Sequence, residues 1–210
     1  MRAYNFSAGP SALPLEVLEE AQKEFLDFAG TGMSVTEISH RNKKFEEIVN
    51  EGSALLRELL NIPDDYAVVF VQGGASQQFA AVPLNLMHKG KADYVVTGNF
   101  AKKAFQEGKI YGDAACVASS EDKTYTYIPD VKNIPFREDT DYVHICANNT
   151  IFGTRYVEFP ETKAPLVADM SSDILSREID VKKFGVIYAG AQKNLAPAGV
   201  TLVIAKRDLI

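Results

Sequence analysis

The chain has 210 residues, with 22 basic against 28 acidic side chains and a formal net charge of −6. That acidic balance argues against a nucleic-acid binder, which carries a basic excess or stripe; no apolar run approaches the roughly 20 residues of a membrane span. Hydrophobic residues at 46% and charged residues at 24% give the mix of a globular chain able to bury a core.

In chain order, the opening residues 1–5 have no signal-type apolar stretch. A helix is predicted over residues 15–29, where Leu18, Ala21, Phe25 and Ala29 recur at helical spacing between Pro14 and Gly30. A second helix reads through Phe45, Ile48, Val49, Gly52, Leu55, Leu56 and Leu59. The period then changes. Residues 67–71 are a short, continuously apolar run with β-branched residues, predicted as a strand buried on both faces. Gly73 and Gly74 follow, then a helix from Gln77 toward Met87 that Pro83 weakens in the middle. Further strands are predicted at 94–97, 115–118, 142–147, 166–168, 186–188 and 201–205, with a helix at 101–108. Such alternation implies βαβ units and a mostly parallel α/β sheet covered by helices on both faces. Cys116 and Cys146 form no paired motif. They read as small buried hydrophobes in a reducing compartment, not as a disulfide or a metal site.

Ligands of parallel sheets sit beyond the carboxyl ends of the strands, so the residues following each strand matter most. After the first strand, Gly73, Gly74, Ala75 and Ser76 open a helix. This is either a phosphate cradle of free N–H groups or a tight turn with a serine cap. Phe100 follows the second strand and either stacks on a flat ligand or fills core. Asn148, Asn149 and Thr150 follow the 142–147 strand and suit a ring substituent or a turn. Asp169 ends an apolar strand, where a carboxylate is costly without a cation or strong donors; the alternative is a helix cap. Lys193 follows the 186–188 strand among small residues. Confinement there favours its neutral, nucleophilic amine, whereas a lone lysine is ordinarily a solvated charge. One cofactor uses the whole ordered set. Pyridoxal phosphate requires an amine for its aldehyde, an acid for its ring nitrogen, an aromatic for its ring face and a phosphate cradle.

Residues 5–14 (NFSAGPSALP), 32–41 (GMSVTEISHR), 73–79 (GGASQQF), 149–154 (NTIFGT), 168–177 (ADMSSDILSR) and 188–199 (YAGAQKNLAPAG) resemble phosphoserine aminotransferases, in order, from about residue 4 to the end. The resemblance implies a fold-type I, pyridoxal-phosphate-dependent transaminase of serine biosynthesis. Its substrates would be glutamate and 3-phosphohydroxypyruvate, its products 2-oxoglutarate and O-phosphoserine. It implies that Lys193 bonds the cofactor, that Asp169 faces the ring nitrogen and that Ala75, Ser76 and Gln192 lie at the phosphate. Phe100 takes the stacking position, where many relatives have tryptophan, and Thr150 lies near the ring hydroxyl. Arg41 would grip a substrate carboxylate, and His40 is either a donor to the substrate phosphate or a structural histidine. Residues 1–14 read as an N-terminal segment and 15–210 as a large cofactor-binding domain that relatives continue with a smaller C-terminal one. The expectation is therefore a fragment of a cytoplasmic homodimer with no nucleic-acid or membrane partner and little turnover alone. The alternatives are a cofactor-binding piece without turnover or another fold-type I small-substrate aminotransferase. A cysteine desulfurase is disfavoured because both cysteines lie in predicted strands.

Overall fold

Runs rich in valine, isoleucine and alanine become strands because β-branched side chains fit a pleated, buried surface. The computed structural model describes residues 2–210. They contain one seven-stranded sheet in the order β1-β7-β6-β5-β4-β2-β3. Its strands are β1 (Tyr66–Val71), β2 (Lys91–Val96), β3 (Asp113–Ser119), β4 (Tyr142–Cys146), β5 (Leu166–Asp169), β6 (Val186–Gly190) and β7 (Thr201–Lys206). β2 to β6 pair in parallel; β7 runs against both β6 and β1. β1 therefore points the same way as the parallel strands, and the carboxyl ends of β1, β2, β4, β5 and β6 meet at one end of the sheet.

The helices are α1 (Leu15–Glu24), α2 (Lys43–Leu60), α3 (Gly74–Leu86) and α4 (Asn99–Tyr111). On one face, Phe79, Val82 and Leu86 of α3 and Ala104 of α4 pack on Tyr94, Tyr142, Val167 and Tyr188. On the other, Leu56 and Leu60 of α2 join Tyr156, Met170, Ile174 and Phe184 from irregular segments over Ile145, Ala168, Ile187 and Leu202. Every residue of β4, β5 and β6 is buried. Each Val, Leu or Ile so buried contributes about 1.5–3 kcal/mol, so these three strands form the rigid part of the sheet.

Several expectations shift. The first helix stops at Glu24 instead of reaching Ala29: the Asp27 carboxylate turns to the Gly32 N–H (2.7 Å), and Ala29 is left-handed at φ 52°. β1 is an edge strand with Val69 exposed, not a strand buried on both faces, because β7 is its one neighbour. α3 starts three residues earlier than predicted, at Gly74, with Pro83 buried inside it. Helices cease to alternate with strands after β3, and the crossovers from β4 to β6 are irregular coil and short 3-10 turns. Cys146 is buried as expected, but Cys116 is exposed because β3 is the other edge.

Candidate active site

Four strand ends supply the reactive side chains. Asp169 closes β5 and is buried. Its Oδ1 accepts from the Ser171 N–H (2.9 Å) and the Ser171 hydroxyl (2.7 Å). Ser171 Oγ in turn accepts from the Gly190 N–H at the end of β6 (3.0 Å). Burial raises the Asp169 pKa, opposed by the two Ser171 bonds and the charge of Lys193. The other carboxylate oxygen has no hydrogen-bond partner among the described residues, and the side chain lines a cavity. A carboxylate so placed calls for a cation or an N–H donor.

Three residues past β6, Lys193 reaches back over the sheet end. Its Nζ donates to Thr150 Oγ1 (2.6 Å) and lies 4.2 Å from the centroid of the Phe100 ring, within cation–π range. Its backbone is held from the other end of the chain. The Ser11 N–H donates to the Gln192 carbonyl (2.9 Å), and the Ser11 hydroxyl donates to the Lys193 carbonyl. Gly9 lies so near that a Cβ there would stand 3.1 Å from Lys193 Cγ. Gly190 serves a similar purpose: a Cβ would crowd the Gln192 amide at 3.0 Å and stand 3.4 Å from the Ala75 N atom. At α3, Gly73 takes φ +91°, a conformation glycine adopts without strain, and turns the chain into the helix whose first turn presents Ala75 and Ser76.

These groups enclose one cavity of about 350 Å³, lined by Ala8 and Gly9, Gly74–Ser76 and Phe79, Phe100, Thr150 and Ile151, Asp169 and Ser171, Gln192 and Lys193. Its size suits a small cofactor. Of the predicted residues it brings together Ala75, Ser76, Phe100, Thr150, Asp169, Gln192 and Lys193. His40 and Arg41 do not line it; both are exposed, just before the Asn42 cap of α2. Gly9 and Ser171 were not singled out from the sequence. Asp169 and Ser171 stand two apart, the spacing of a side chain that bonds its own following backbone, and that spacing was the available signal. A larger groove of about 640 Å³, lined in part by Lys132, Phe159 and Lys183, offers no comparable set. Its Arg177 is already bonded to Asp173 (2.9 Å) and to the Tyr156 carbonyl (2.6 Å).

The sequence pattern of "Aminotransferase class-V" matches residues 3–210. The chain belongs to the class-V aminotransferase family. Among curated relatives of this class-V chain, phosphoserine aminotransferase of Bacillus thuringiensis subsp. konkukian is 59% identical over all of the chain, which spans 59% of that protein's length. A solved structure concerned with radiation damage of the Schiff base in phosphoserine aminotransferase superposes with a TM-score of 0.97 at 54% identity. It is matched over all of this chain and 59% of its own. The phosphoserine aminotransferase of Trichomonas vaginalis, solved with pyridoxal phosphate bound, gives a TM-score of 0.88 at 41% identity, over 99% of this class-V chain and 59% of that one. The fold is thus that of the fold-type I aminotransferases.

Proposed function

We propose that the chain carries the pyridoxal-phosphate site of a phosphoserine:2-oxoglutarate aminotransferase, which moves an amino group between glutamate and 3-phosphohydroxypyruvate to give 2-oxoglutarate and O-phosphoserine. The observation that carries this reading is the convergence of a buried, half-satisfied Asp169 carboxylate with a Lys193 amine set over the Phe100 ring in one cavity. The names of the relatives support the substrates. On this reading residues 15–210 are the large cofactor-binding domain, preceded by the 1–14 segment.

The residues present fit the cofactor. Pyridoxal phosphate, when bound, supplies an aldehyde and an electron-accepting ring. Lys193 would hold it covalently, and its amine, once freed, would take and return the proton at the substrate Cα. The open oxygen of Asp169 would keep a proton on the ring nitrogen, and that positive charge would relieve the raised pKa of the buried acid. Phe100 would cover a ring face and Thr150 would meet the ring hydroxyl. The N–H groups of the first α3 turn, the Ser76 hydroxyl and the Gln192 amide would hold the phosphate. Phenylalanine at position 100 lacks the donor of an indole, so looser cofactor binding is expected than with tryptophan.

Lys193 is the one cationic side chain in the cavity lining among the described residues. Arg41 as carboxylate clamp and His40 as phosphate donor would act from outside that lining, and this favours little turnover by the 210 residues alone. Apolar side chains left exposed on α1 and α2, such as Val17, Ile48, Leu55 and Leu59, support a homodimer. Among the described residues no helix is long and apolar enough to cross a membrane, which accords with a cytoplasmic enzyme. Incubation with pyridoxal phosphate should produce a visible absorption band that Lys193→Ala abolishes; a band that survives the substitution would refute the assignment. A coupled assay should show phosphorylated substrates preferred, and preference for unphosphorylated ones would point to another fold-type I aminotransferase.

A further inference from the structure

We infer that Ser172 is a positioning residue that turns the lone pair of the Lys193 amine into the cavity. The inference rests on the reading of Lys193 as the carbonyl-binding amine and deepens it. Its basis is proton accounting along one chain of polar atoms. Ser172 Oγ lies 3.2 Å from the Asn148 carbonyl oxygen, 2.9 Å from Asn148 Nδ2 and 3.0 Å from Thr150 Oγ1. A carbonyl only accepts, so the single Ser172 proton goes to it. The Ser172 oxygen then accepts from the Asn148 amide and from the Thr150 hydroxyl. Thr150 has one proton, now committed to Ser172. Toward Lys193 Nζ, at 2.6 Å, it can only accept.

The direction of the chain is anchored in backbone, since Asn148 is itself held in an antiparallel bridge to Arg155. A neutral amine facing a pure acceptor points an N–H at it and its lone pair elsewhere. Without the Ser172 hydroxyl, the Thr150 proton has the amine lone pair as its nearest acceptor, and a captured lone pair cannot attack. In the attack, that pair bonds to the carbonyl carbon and the C=O π pair moves to oxygen. Both amine protons then leave with the oxygen as water, and a C=N bond remains. The titratable groups facing the amine are the Asp169 carboxylate on β5 and the Cys146 thiol on β4. A substitution at Ser172 removes neither group; Cys146 Sγ shares the Asn148 carbonyl with Ser172, at 3.5 Å.

Formaldehyde is a small enough probe, with cyanoborohydride as hydride donor to reduce the C=N bond. On cofactor-free protein, peptide mass spectrometry gives the methylation rate at Lys193 across a pH series, with Lys23 on α1 as internal reference. In Ser172→Ala the alkaline plateau at Lys193 should fall about fivefold, the size of one net hydrogen bond. The midpoint of its pH profile should move to lower pH, because only the neutral amine has a lone pair to capture. The acid limb and the Lys23 rate should stay as in the native protein. Ser172→Thr, which keeps the hydroxyl, should keep the native plateau. Ser172→Ala combined with Thr150→Val should recover most of it, since no proton is left to capture the lone pair. Equal plateaus in native protein and Ser172→Ala would overturn the inference, as would a double variant no faster than the single one. A native Lys193 that is not methylated while Lys23 is would instead overturn the functional reading, and the inference with it.

Discussion

The carboxyl ends of β4, β5 and β6 and the segment from residue 2 to α2 carry different halves of the expected chemistry. At the strand ends, every residue of the three strands is buried, and Asp169, Thr150 and Lys193 have fixed partners within about 3 Å. In the early segment α1 buries nothing, and His40 and Arg41 lie exposed. Burial in a parallel sheet holds a side chain without further help. A side chain on an exposed turn takes its place only when something else packs on that turn. On the proposed reading, the residues that would handle a carbonyl share one cavity, whereas His40 and Arg41, proposed for the substrate's anions, stand exposed outside it.

That contrast can be broken in several ways. The largest expected effect belongs to Asp169→Asn, which keeps the shape and removes the charge. The rate at which glutamate bleaches the visible band of the cofactor-loaded protein in a single half-reaction should fall about a hundredfold, and a rate near native would remove the acid from the site. The same substitution should stabilise the cofactor-free protein. A carboxyl whose pKa is raised by folding costs stability once pH exceeds its unfolded value, and the cost is absent in acid. The thermal midpoint of Asp169→Asn should exceed the native one at pH 7, and the gap should close by about pH 4, near the ordinary carboxyl value.

Phe100→Ala should weaken cofactor binding about tenfold, as loss of ring contact predicts; titration of the visible band would show it. A third effect lies beneath the site. His144 is buried with Nε2 2.8 Å from the Tyr188 hydroxyl and its ring stacked on Tyr94, and burial pushes its pKa down to about 3. The unfolded histidine binds a proton near pH 6.5, so native stability should fall as pH drops below that value, by about 1.4 kcal/mol per unit. Denaturant melts of His144→Phe should be less stable at pH 7 yet flatter between pH 6.5 and 4.5. The smallest effect is the control on the exposed side. Arg41→Ala should leave the visible band and cofactor affinity unchanged; a shifted band would place Arg41 among the groups that hold the cofactor.

The fold class and the order of the strand ends were both legible in the sequence. Asp169 ends one apolar run and Lys193 follows another by a few residues, so their meeting at one end of the sheet could be expected. The edge position of β1 depends on its pairing with β7 across more than a hundred residues, which no local pattern encodes, while β7 reverses against β6 through the short link 191–200. Cys116 shows the difference: it lies in a continuous apolar run like that of a buried strand, yet its strand is last in the sheet. The helix end at Glu24 turned on one carboxylate, Asp27, choosing the Gly32 amide, a local competition that apolar spacing does not reveal. Ser171 and Ser172 were visible as residues, but their roles follow from hydrogen-bond direction, which appears only in three dimensions.

The bond from Ser11 to the Lys193 carbonyl joins positions 182 apart in sequence. On a ribosome making about 5–20 residues per second, the first partner waits roughly 10–40 s for the second to be synthesised. The Lys193 backbone therefore gains its hold from the N-terminal segment only once both ends of that span have been made, long after residues 8–11 leave the ribosome.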